Sequence, residues 1–408
     1  MHNFTIIAVL AFRNTLRNPR RAVLTILAIA VGLGSAITLA ALGRGVGHQM
    51  VRDALLELTG HIQIHAGGYV DDPSVNFRMP PATGVLRNLL DSPSITGWTE
   101  RVRVPAVISS ERESAGITLI GIDPVREKAI SFLGTVPITG RKLTGVDDRG
   151  VLIRAKLLQQ LDTEVGHRIV LLSQDISGKL AERGFRVVGV FDAELESTES
   201  GVVFVGREVL QEMLGIGNDV SELSLMLVQD DQLNETLSRL QHAAPSLEVL
   251  PWMKLQPLIG AMVKVQDGFL FFWLFIVVIA ISFGLVNTVF MAIFERMREF
   301  GLIRALGMKP GLLVVQVLLE GIILLVIGCA IGNLAGFSAI ALLHDGIDIS
   351  QFARGAQFSG LRSVIYPRAR PGDILVSNLM IQCIGILATL YPAWRVTKGK
   401  AIEALRNI

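Results

Sequence analysis

The histidines with a spacing closest to that of metal ligands in this 408-residue chain are His61 and His65. Four residues apart, they would share a face of a helix, but the surrounding GHIQIHA is typical of a strand, where they also fall on one side. The zinc-protease motif HExxH is absent, and both cysteines lie far away in apolar runs. We therefore interpret the two histidines as a packed or solvent-facing pair and predict no metal site.

Other catalytic patterns in the sequence are incomplete. There is no GxSxG motif, and we interpret the acidic run DAELESTES at 192–200 as a solvated loop. Gly140 and Gly145 have the spacing of a phosphate-binding loop, but Val146 stands where that motif needs the lysine that contacts the phosphates. The sequence thus predicts no catalytic residue and no cofactor bound by this chain, which we expect not to be an enzyme by itself.

The segment 287–321, NTVFMAIFERMREFGLIRALGMKPGLLVVQVLLEG, combines charged and apolar residues within one short predicted helix. Gly307 suits the C-terminal end of that helix, and Pro310 opposes its continuation. A connector that is merely solvated need not expose Phe300 and Leu306, so the pattern favours a surface for a partner protein. Glu320 follows at a membrane edge, either as an interfacial carboxylate or in a helix–helix or gating role.

The composition indicates a membrane protein. Half of the residues are hydrophobic, the mean hydropathy is +0.51 and 18% are charged, against about 25% in soluble chains. The formal charge of +2 excludes the strongly basic character of a nucleic-acid binder. The two cysteines, which lie in apolar runs, exclude a disulfide framework. The apolar excess predicts four transmembrane helices at 22–43, 268–294, 312–343 and 374–394.

Arginines before the first apolar run predict the orientation of the chain. The run is longer than the roughly 7–15 residues of a signal-peptide core, so we expect a retained anchor with its N-terminal side in the cytoplasm. Arginines in the loop 344–373 oppose this assignment. Alternation then predicts a cytoplasmic amphipathic helix at 1–21, an extracytoplasmic domain at 44–267, a cytoplasmic helix at 295–311, an extracytoplasmic loop at 344–373 and a cytoplasmic tail at 395–408.

The insert between the first two spans has ordinary polarity and predicts a separate α+β domain. Alternating β-branched residues predict strands at 60–66, 101–110, 116–123, 168–173, 185–191, 201–206 and 222–228. Helices are predicted at about 46–58, 153–161, 207–214 and 230–243. Because 46–58 follows the first span without a proline, and 258–272 leads into the second in the same way, we predict two helical stalks.

The motif ERMREFGLIRALG, with a glutamate early in the next span, resembles the permease domain of the FtsX, MacB and LolC/LolE proteins. The N-terminal AFRNTLRNPRRAVLT, the large insert and the closing YPAWRVTKGKAIEALR extend the similarity along essentially the whole chain. The resemblance implies a mechanotransmission permease of an ATP-binding cassette (ABC) transporter in the bacterial inner membrane, with a MacB-like periplasmic core domain. It also implies a dimer and a separate ATPase that binds ATP and magnesium. The implied ATPase-coupling residues are Glu295, Arg296, Met297, Arg298, Glu299, Phe300, Gly301, Arg304, Leu306 and Gly307, with Glu320 as a gating candidate.

Three functions remain open at this stage. LolC/LolE-type proteins match best in length and topology, which favours export or extraction of a lipoprotein or lipid-like substrate. An FtsX-like transmitter that controls an external partner such as a cell-wall hydrolase is the alternative, while a membrane-anchored enzyme lacks a site. The segment SQDISGKLAERGFRV at 173–187 is short and without prolines, so a hook for a periplasmic carrier is not supported. A homodimer is as plausible as a heterodimer with a second permease.

Overall fold

A computed structural model describes residues 2–192, 201–305, 307–348 and 364–398. Leu306, residues 193–200 of the acidic run, 349–363 of the predicted loop and 399–408 of the predicted tail lie outside the described residues. The chain divides into two compact units: Met50–Met262 forms the inserted unit, and the segments before and after it form the membrane unit.

Twelve α-helices occur among the described residues. They are α1 (His2–Arg17), α2 (Pro19–Ala54), α3 (Gly84–Leu90), α4 (Pro124–Ile130), α5 (Ala155–Gln160), α6 (Arg207–Leu214), α7 (Leu233–Ala243), α8 (Trp252–Leu255), α9 (Pro257–Glu295), α10 (Met297–Ala305), α11 (Pro310–Leu342) and α12 (Pro371–Lys398). In the described part of the chain, four of these helices are long and apolar enough to cross a membrane: α2, α9, α11 and α12.

Close packing of small residues joins α2 and α11 in the membrane unit. Gly328, Gly332 and Gly336 recur every fourth residue on α11 and face α2. A Cβ atom at Gly332 would lie 3.0 Å from the carbonyl oxygen of Ala30, so a larger residue there would require the two helices to move apart slightly. Small residues serve this purpose in membranes because helices gain packing there without a hydrophobic driving force.

A pair of amides joins α11 to α12. The Asn333 Nδ2 atom donates to Asn378 Oδ1 at 2.8 Å, and Asn378 Nδ2 donates to Asn333 Oδ1 at 3.0 Å. Each amide nitrogen also donates to a carbonyl oxygen one turn earlier in its own helix. The two polar groups thus satisfy each other inside an apolar environment, and they set the register of the two helices.

One mixed sheet of ten strands organises the inserted unit. Its strands are β1 (Ile62–Ala66), β2 (Ile95–Ser109), β3 (Ser114–Ile122), β4 (Ile138–Gly140), β5 (Gly150–Arg154), β6 (Arg168–Gln174), β7 (Leu180–Phe191), β8 (Val202–Gly206), β9 (Glu222–Leu227) and β10 (Leu247–Pro251). The order is β10-β1-β9-β2-β3-β8-β5-β7-β4, and β6 pairs with β2 and β7. β3 pairs with β8 and β5 with β7 in parallel, whereas the other pairs are antiparallel. A two-stranded sheet in the membrane unit consists of β11 (Ile347–Asp348) and β12 (Val364–Ile365).

The strand predictions and the α+β class agree with this sheet, since each of the seven predicted strands overlaps an observed one. The structure adds β4, β5 and β10, and also α3 and α4, which the sequence patterns did not indicate. Segment 173–187 contains the turn between β6 and β7 and forms a short hairpin. Helix α2 continues from the first apolar run to Ala54, and α9 begins at Pro257, ahead of the second apolar run.

Candidate coupling site

The short helix α10 connects the spans α9 and α11 and carries most of the residues predicted to contact an ATPase. It begins after a corner at Arg296 and ends at Ala305. Gly307 has a φ of +100°, a left-handed conformation that glycine adopts without strain. Pro310 then opens α11 at a position where a missing N–H costs nothing. The turn residues therefore act as the sequence predicted.

The exposed position expected for Phe300 is wrong. Its side chain is only 4% exposed and belongs to the apolar core of the membrane unit, with Ile293, Leu313 and Val317. The Arg296 guanidinium lies 5.2 Å from the Phe300 ring centroid. Phe300 therefore packs against its own chain and does not form part of the exposed face of α10.

Arg296, at the corner before α10, is bonded to Glu320 of α11. Its Nη1 atom donates to Glu320 Oε1 at 2.8 Å and to Oε2 at 3.1 Å. Each of the two side chains is 13% exposed. The Arg296 Nε atom also donates to Glu299 Oε2 at 3.4 Å. Glu320 is therefore an ion-pair partner of Arg296. This pairing argues against the prediction that Glu320 is an unpaired carboxylate at the membrane interface.

The N-terminal helix α1 contacts the same group of charges. Asn14 Nδ2 donates to Glu320 Oε1 at 3.0 Å, and Arg17 Nη1 lies 2.7 Å from Glu299 Oε1. Burial by itself would raise the pKa of the Glu299 carboxyl, but the ion pairs with Arg17 and Arg296 outweigh it and hold this pKa below its usual value. The helix α1 is thus bonded to α10 and to α11.

A second set of hydrogen bonds links the start of α2 to the end of α9. Arg21 donates to both carboxylate oxygens of Glu295, at 2.9 Å and 2.6 Å, and Asn18 Nδ2 donates to Glu295 Oε2 at 2.9 Å. We call the group of charged and amide side chains around α10 the coupling network; its members are Asn14, Arg17, Asn18, Arg21, Glu295, Arg296, Glu299 and Glu320. It brings together residues that are up to 306 positions apart in sequence.

The outer surface of α10 consists of Arg298, Leu302 and Ala305, which are exposed and spaced so that they share one face. Leu302 is 60% exposed and is the large apolar residue of this face. Among the other predicted coupling residues, Gly301 is buried, Met297 and Arg304 are partly buried, and Gly307 is exposed.

A second ion cluster lies at the opposite ends of the spans. Arg44 near the end of the apolar part of α2 donates from Nε to Asp373 Oδ2 at 2.7 Å and from Nη2 to Asp373 Oδ1 at 3.0 Å. Its Nη1 atom pairs with Asp267 of α9. One guanidinium therefore holds two carboxylates from two different helices.

His65 of β1 and His61, which immediately precedes that strand, each contact another side chain of this protein. His61 Nε2 lies 3.0 Å from Asp230 Oδ1, and His65 Nε2 lies 2.9 Å from Gln63 Oε1. Within the described residues no group of three or more histidine, cysteine, aspartate or glutamate side chains could hold a metal ion. His65 is buried and stacked on Tyr69 with ring centroids 5.1 Å apart.

Two families of known proteins match complementary parts of the chain. Residues 22–243 match the MacB-like periplasmic core domain, and residues 270–401 match the FtsX-like permease C-terminal domain. The chain belongs to the FtsX/MacB permease family. It is accordingly an ABC transporter permease and a membrane protein of the bacterial inner membrane, with a MacB-like periplasmic domain between its first and second spans. The resemblance and the fold class expected from the sequence are both confirmed.

Relatives of this permease extend over nearly its whole length. It is 24% identical to the lipoprotein-releasing system transmembrane protein LolC of Xylella fastidiosa (strain Temecula1), a match that covers 94% of this chain and 92% of that one. LolC of Neisseria meningitidis serogroup B is 22% identical, with 94% and 93% covered. The uncharacterized ABC transporter permease YknZ of Bacillus subtilis is 22% identical, with 97% and 98% covered.

Two solved structures are similar to part of this permease. The periplasmic region of MacB from Actinobacillus actinomycetemcomitans matches 53% of this chain and 95% of its own, with 14% identity and a TM-score of 0.36. The extracellular domain of YknZ matches 47% of this chain and 98% of its own, with 15% identity and a TM-score of 0.33.

Sequence reasoning missed the partners of the permease's charged residues. Arg17, Arg21 and Arg44 were used only as markers of orientation or as the ends of apolar runs, yet each forms an ion pair with a distant helix. A signal was present, because Glu295, Asp267 and Asp373 also flank apolar runs and need counter-charges at the membrane edge.

Proposed function

We propose that this permease couples ATP hydrolysis by a separate cytoplasmic ABC ATPase to motion of its extracytoplasmic inserted unit. The observation that carries the proposal is the coupling network. Through it, the short helix α10 is bonded by Arg296 to α11 and by Glu299 to α1, while its outer face presents Arg298 and Leu302. A force applied by a partner to that face would reach several membrane helices at once.

This assignment places α10 and the N-terminal helix in the cytoplasm and the inserted unit outside. Arg13, Arg17, Arg20 and Arg21 near the start of α2 support it by the positive-inside rule. The ATPase, and not this chain, would bind ATP and magnesium. Two permeases, either identical or paralogous, would work together with two ATPase subunits.

We further propose that the substrate is a lipoprotein or a lipid-like molecule extracted from the membrane. The LolC relatives, which are named for lipoprotein release, support this class. A groove of about 690 Å³ between α2 and α9 supports it physically. The groove is lined mainly by apolar or small residues: Leu24, Ala28, Ile29, Val31, Gly32, Val277, Ala280, Ile281, Gly284, Leu285 and Met291. Such a surface suits acyl chains and not a hydrophilic solute.

Reconstitution tests both parts of the proposal. The permease would be purified with an ABC ATPase encoded beside it, incorporated into proteoliposomes with a triacylated lipoprotein, and assayed for ATP hydrolysis and for lipoprotein release. We expect the permease to bind the ATPase and to release lipoprotein only with hydrolysable ATP. Binding of the ATPase without any release, together with capture of a cell-wall hydrolase, would instead support the FtsX-like regulatory function.

A further inference from the structure

The end of the first stalk has an unusual backbone. After Ala54 the helix α2 widens into a π-helical turn, Leu55–Thr59. Leu58 lies within this turn and has a φ of +77°, and Gly60, just after the turn, has a φ of +67°. A left-handed conformation is unfavourable for leucine. Surrounding contacts must therefore hold the backbone at Leu58 in place.

Arg101 of β2 supplies one of these contacts. Its Nη1 atom donates to the Leu58 carbonyl oxygen at 2.5 Å, and Gln63 Nε2 donates to the same oxygen at 3.1 Å. The Arg101 side chain has no exposed surface. A carbonyl at the C-terminal end of a helix has no partner in that helix and carries partial negative charge, so a buried guanidinium is well suited to bind it.

Two carboxylates compensate the buried charge of Arg101. Glu127 of α4 accepts from Nη2 at 2.7 Å and from Nε at 3.0 Å, and Glu222 of β9 accepts from Nη1 at 2.9 Å. Burial alone would lower the pKa of Arg101, but these carboxylates more than offset it, and Arg101 stays charged. The guanidinium thus joins the stalk end, a helix and two strands.

The second stalk reaches the same place. Gln256, which precedes α9, donates from Nε2 to Thr59 Oγ1 at 3.4 Å, and the Trp252 N–H donates to the His61 carbonyl oxygen at 3.0 Å. Ser224 Oγ donates to the Thr59 carbonyl oxygen at 3.0 Å. Both stalks are therefore bonded to one small region of the sheet.

We propose that Arg101 is a positioning residue that makes the junction between the first stalk and the sheet rigid, so that rotation of α2 moves the whole inserted unit. An ion pair of this kind adds little net stability compared with apolar residues of similar volume. Its distinguishing property is geometry, because the planar guanidinium fixes the directions of four oxygen atoms from three residues at once. The expected loss of transport rests on the proposed coupling function, whereas the rigidity of the junction does not.

The test measures rigidity separately from transport. Spin labels at Arg52→Cys on the stalk and Gln174→Cys on the sheet, with Cys329 and Cys383 replaced by serine, report their distance by double electron–electron resonance in the full chain. Arg101→Met is the principal variant. Because Arg101→Met removes the hydrogen-bonded cation from two buried carboxylates, a second variant combines it with Glu127→Gln and Glu222→Gln.

Arg207→Met is the matched control. Arg207 Nη1 pairs with Glu100 Oε2 at 2.8 Å, and Glu100 adjoins Arg101 on β2 but points to the opposite face. This pair is also largely buried, and no stalk residue participates in it.

We expect a single narrow distance for the unsubstituted chain and for Arg207→Met, and a broad distribution for both Arg101 variants. Transport in both Arg101 variants should fall about tenfold with ATPase association retained. An unchanged narrow distance in the Arg101 variants, or equal broadening in Arg207→Met, would overturn the inference. If the distances change as expected while even the unsubstituted permease shows no ATP-driven transport, the proposed function fails and the rigid junction stands.

Discussion

Arg296 and Glu320 form an ion pair that joins the corner before the coupling helix to the head of the third span, with Arg296 Nη1 within 2.8 Å and 3.1 Å of the two carboxylate oxygens. The pair is largely shielded from water, and Asn14 adds a further hydrogen bond to Glu320 at 3.0 Å. Movement of α10 would therefore displace α11 and α1 with it. The first two predictions concern this arrangement.

Leu302→Asp should weaken binding of the ATPase without unfolding the permease. Because Leu302 is exposed, its substitution should change the stability of the isolated chain by no more than about 0.5 kcal/mol. In the complex the new carboxylate would lose its water and remain unpaired. Co-purification of the ATPase and thermal unfolding in detergent would measure the two effects. Leu180→Asp, an equally exposed leucine on the β6–β7 hairpin, is the matched control and should bind the ATPase normally.

Phe300→Asp should act differently, by destabilising the membrane unit itself. A charge would replace a ring that is buried in the apolar core, at a cost of about 3 kcal/mol or more. Thermal unfolding of the permease without its ATPase would detect this loss. A variant with normal stability that fails only to bind ATPase would contradict the burial of Phe300.

Glu320→Gln should leave the Arg296 guanidinium without its principal counter-charge. We expect a loss of about 1.5–3 kcal/mol in stability, as for a hydrogen bond to a charged group. The double variant Arg296→Met with Glu320→Gln should lose less than the sum of the two single variants, because the partners interact directly. Additive losses in that double-mutant cycle would show that the pair contributes nothing.

Arg44 offers a comparable test at the other ends of the spans. Arg44→Gln should destabilise the membrane unit by about 1.5–3 kcal/mol, since Asp267 and Asp373 would both lose their cation. The stability of Arg44→Lys should lie between that of the unsubstituted chain and that of Arg44→Gln. Lysine keeps the charge but cannot form the paired hydrogen bonds to Asp373. Arg20 is an exposed arginine near the opposite end of α2, and Arg20→Gln serves as the control. We expect Arg20→Gln to leave the stability in detergent unchanged. A wild-type melting temperature for Arg44→Gln would contradict the assignment.

His65 predicts a pH dependence of the inserted unit. Burial lowers the pKa of its imidazole from the ordinary value of 6.5, although Glu222 and Glu248 face it and oppose this effect, while Arg103 reinforces it. The folded state therefore favours the neutral ring. Its contribution to stability is complete above pH 6.5 and is lost as the pH falls from 6.5 through the lowered pKa.

Thermal unfolding between pH 7.5 and pH 5 would measure this effect. His65→Phe, which keeps an aromatic ring beside Tyr69 but cannot bind a proton, should lose less stability on acidification than the unsubstituted chain. His242→Phe removes an exposed histidine and should leave the pH dependence unchanged. Equal acid sensitivity in all three proteins would assign the effect to other groups.

Much of the architecture could be inferred from local patterns. Uncharged runs indicate spans because the hydrocarbon core excludes charge, and alternating β-branched residues indicate half-buried strands, so four membrane helices and seven strands were predictable. The glycine and proline at 307 and 310 marked the turn after α10 for reasons of backbone geometry alone.

The partners of charged and apolar side chains were not predictable in the same way. Phe300 could face a partner or its own core, and only the packing of α10 against α9 and α11 decides for the core. Arg296 with Glu320, Arg44 with Asp373, and Arg101 with Leu58 join residues 24, 329 and 43 positions apart. Sequence alone determined the four membrane helices, seven of the strands, the family and the charges that flank the apolar runs. Tertiary structure decided which charges pair, because an ion pair depends on where distant helices and strands meet.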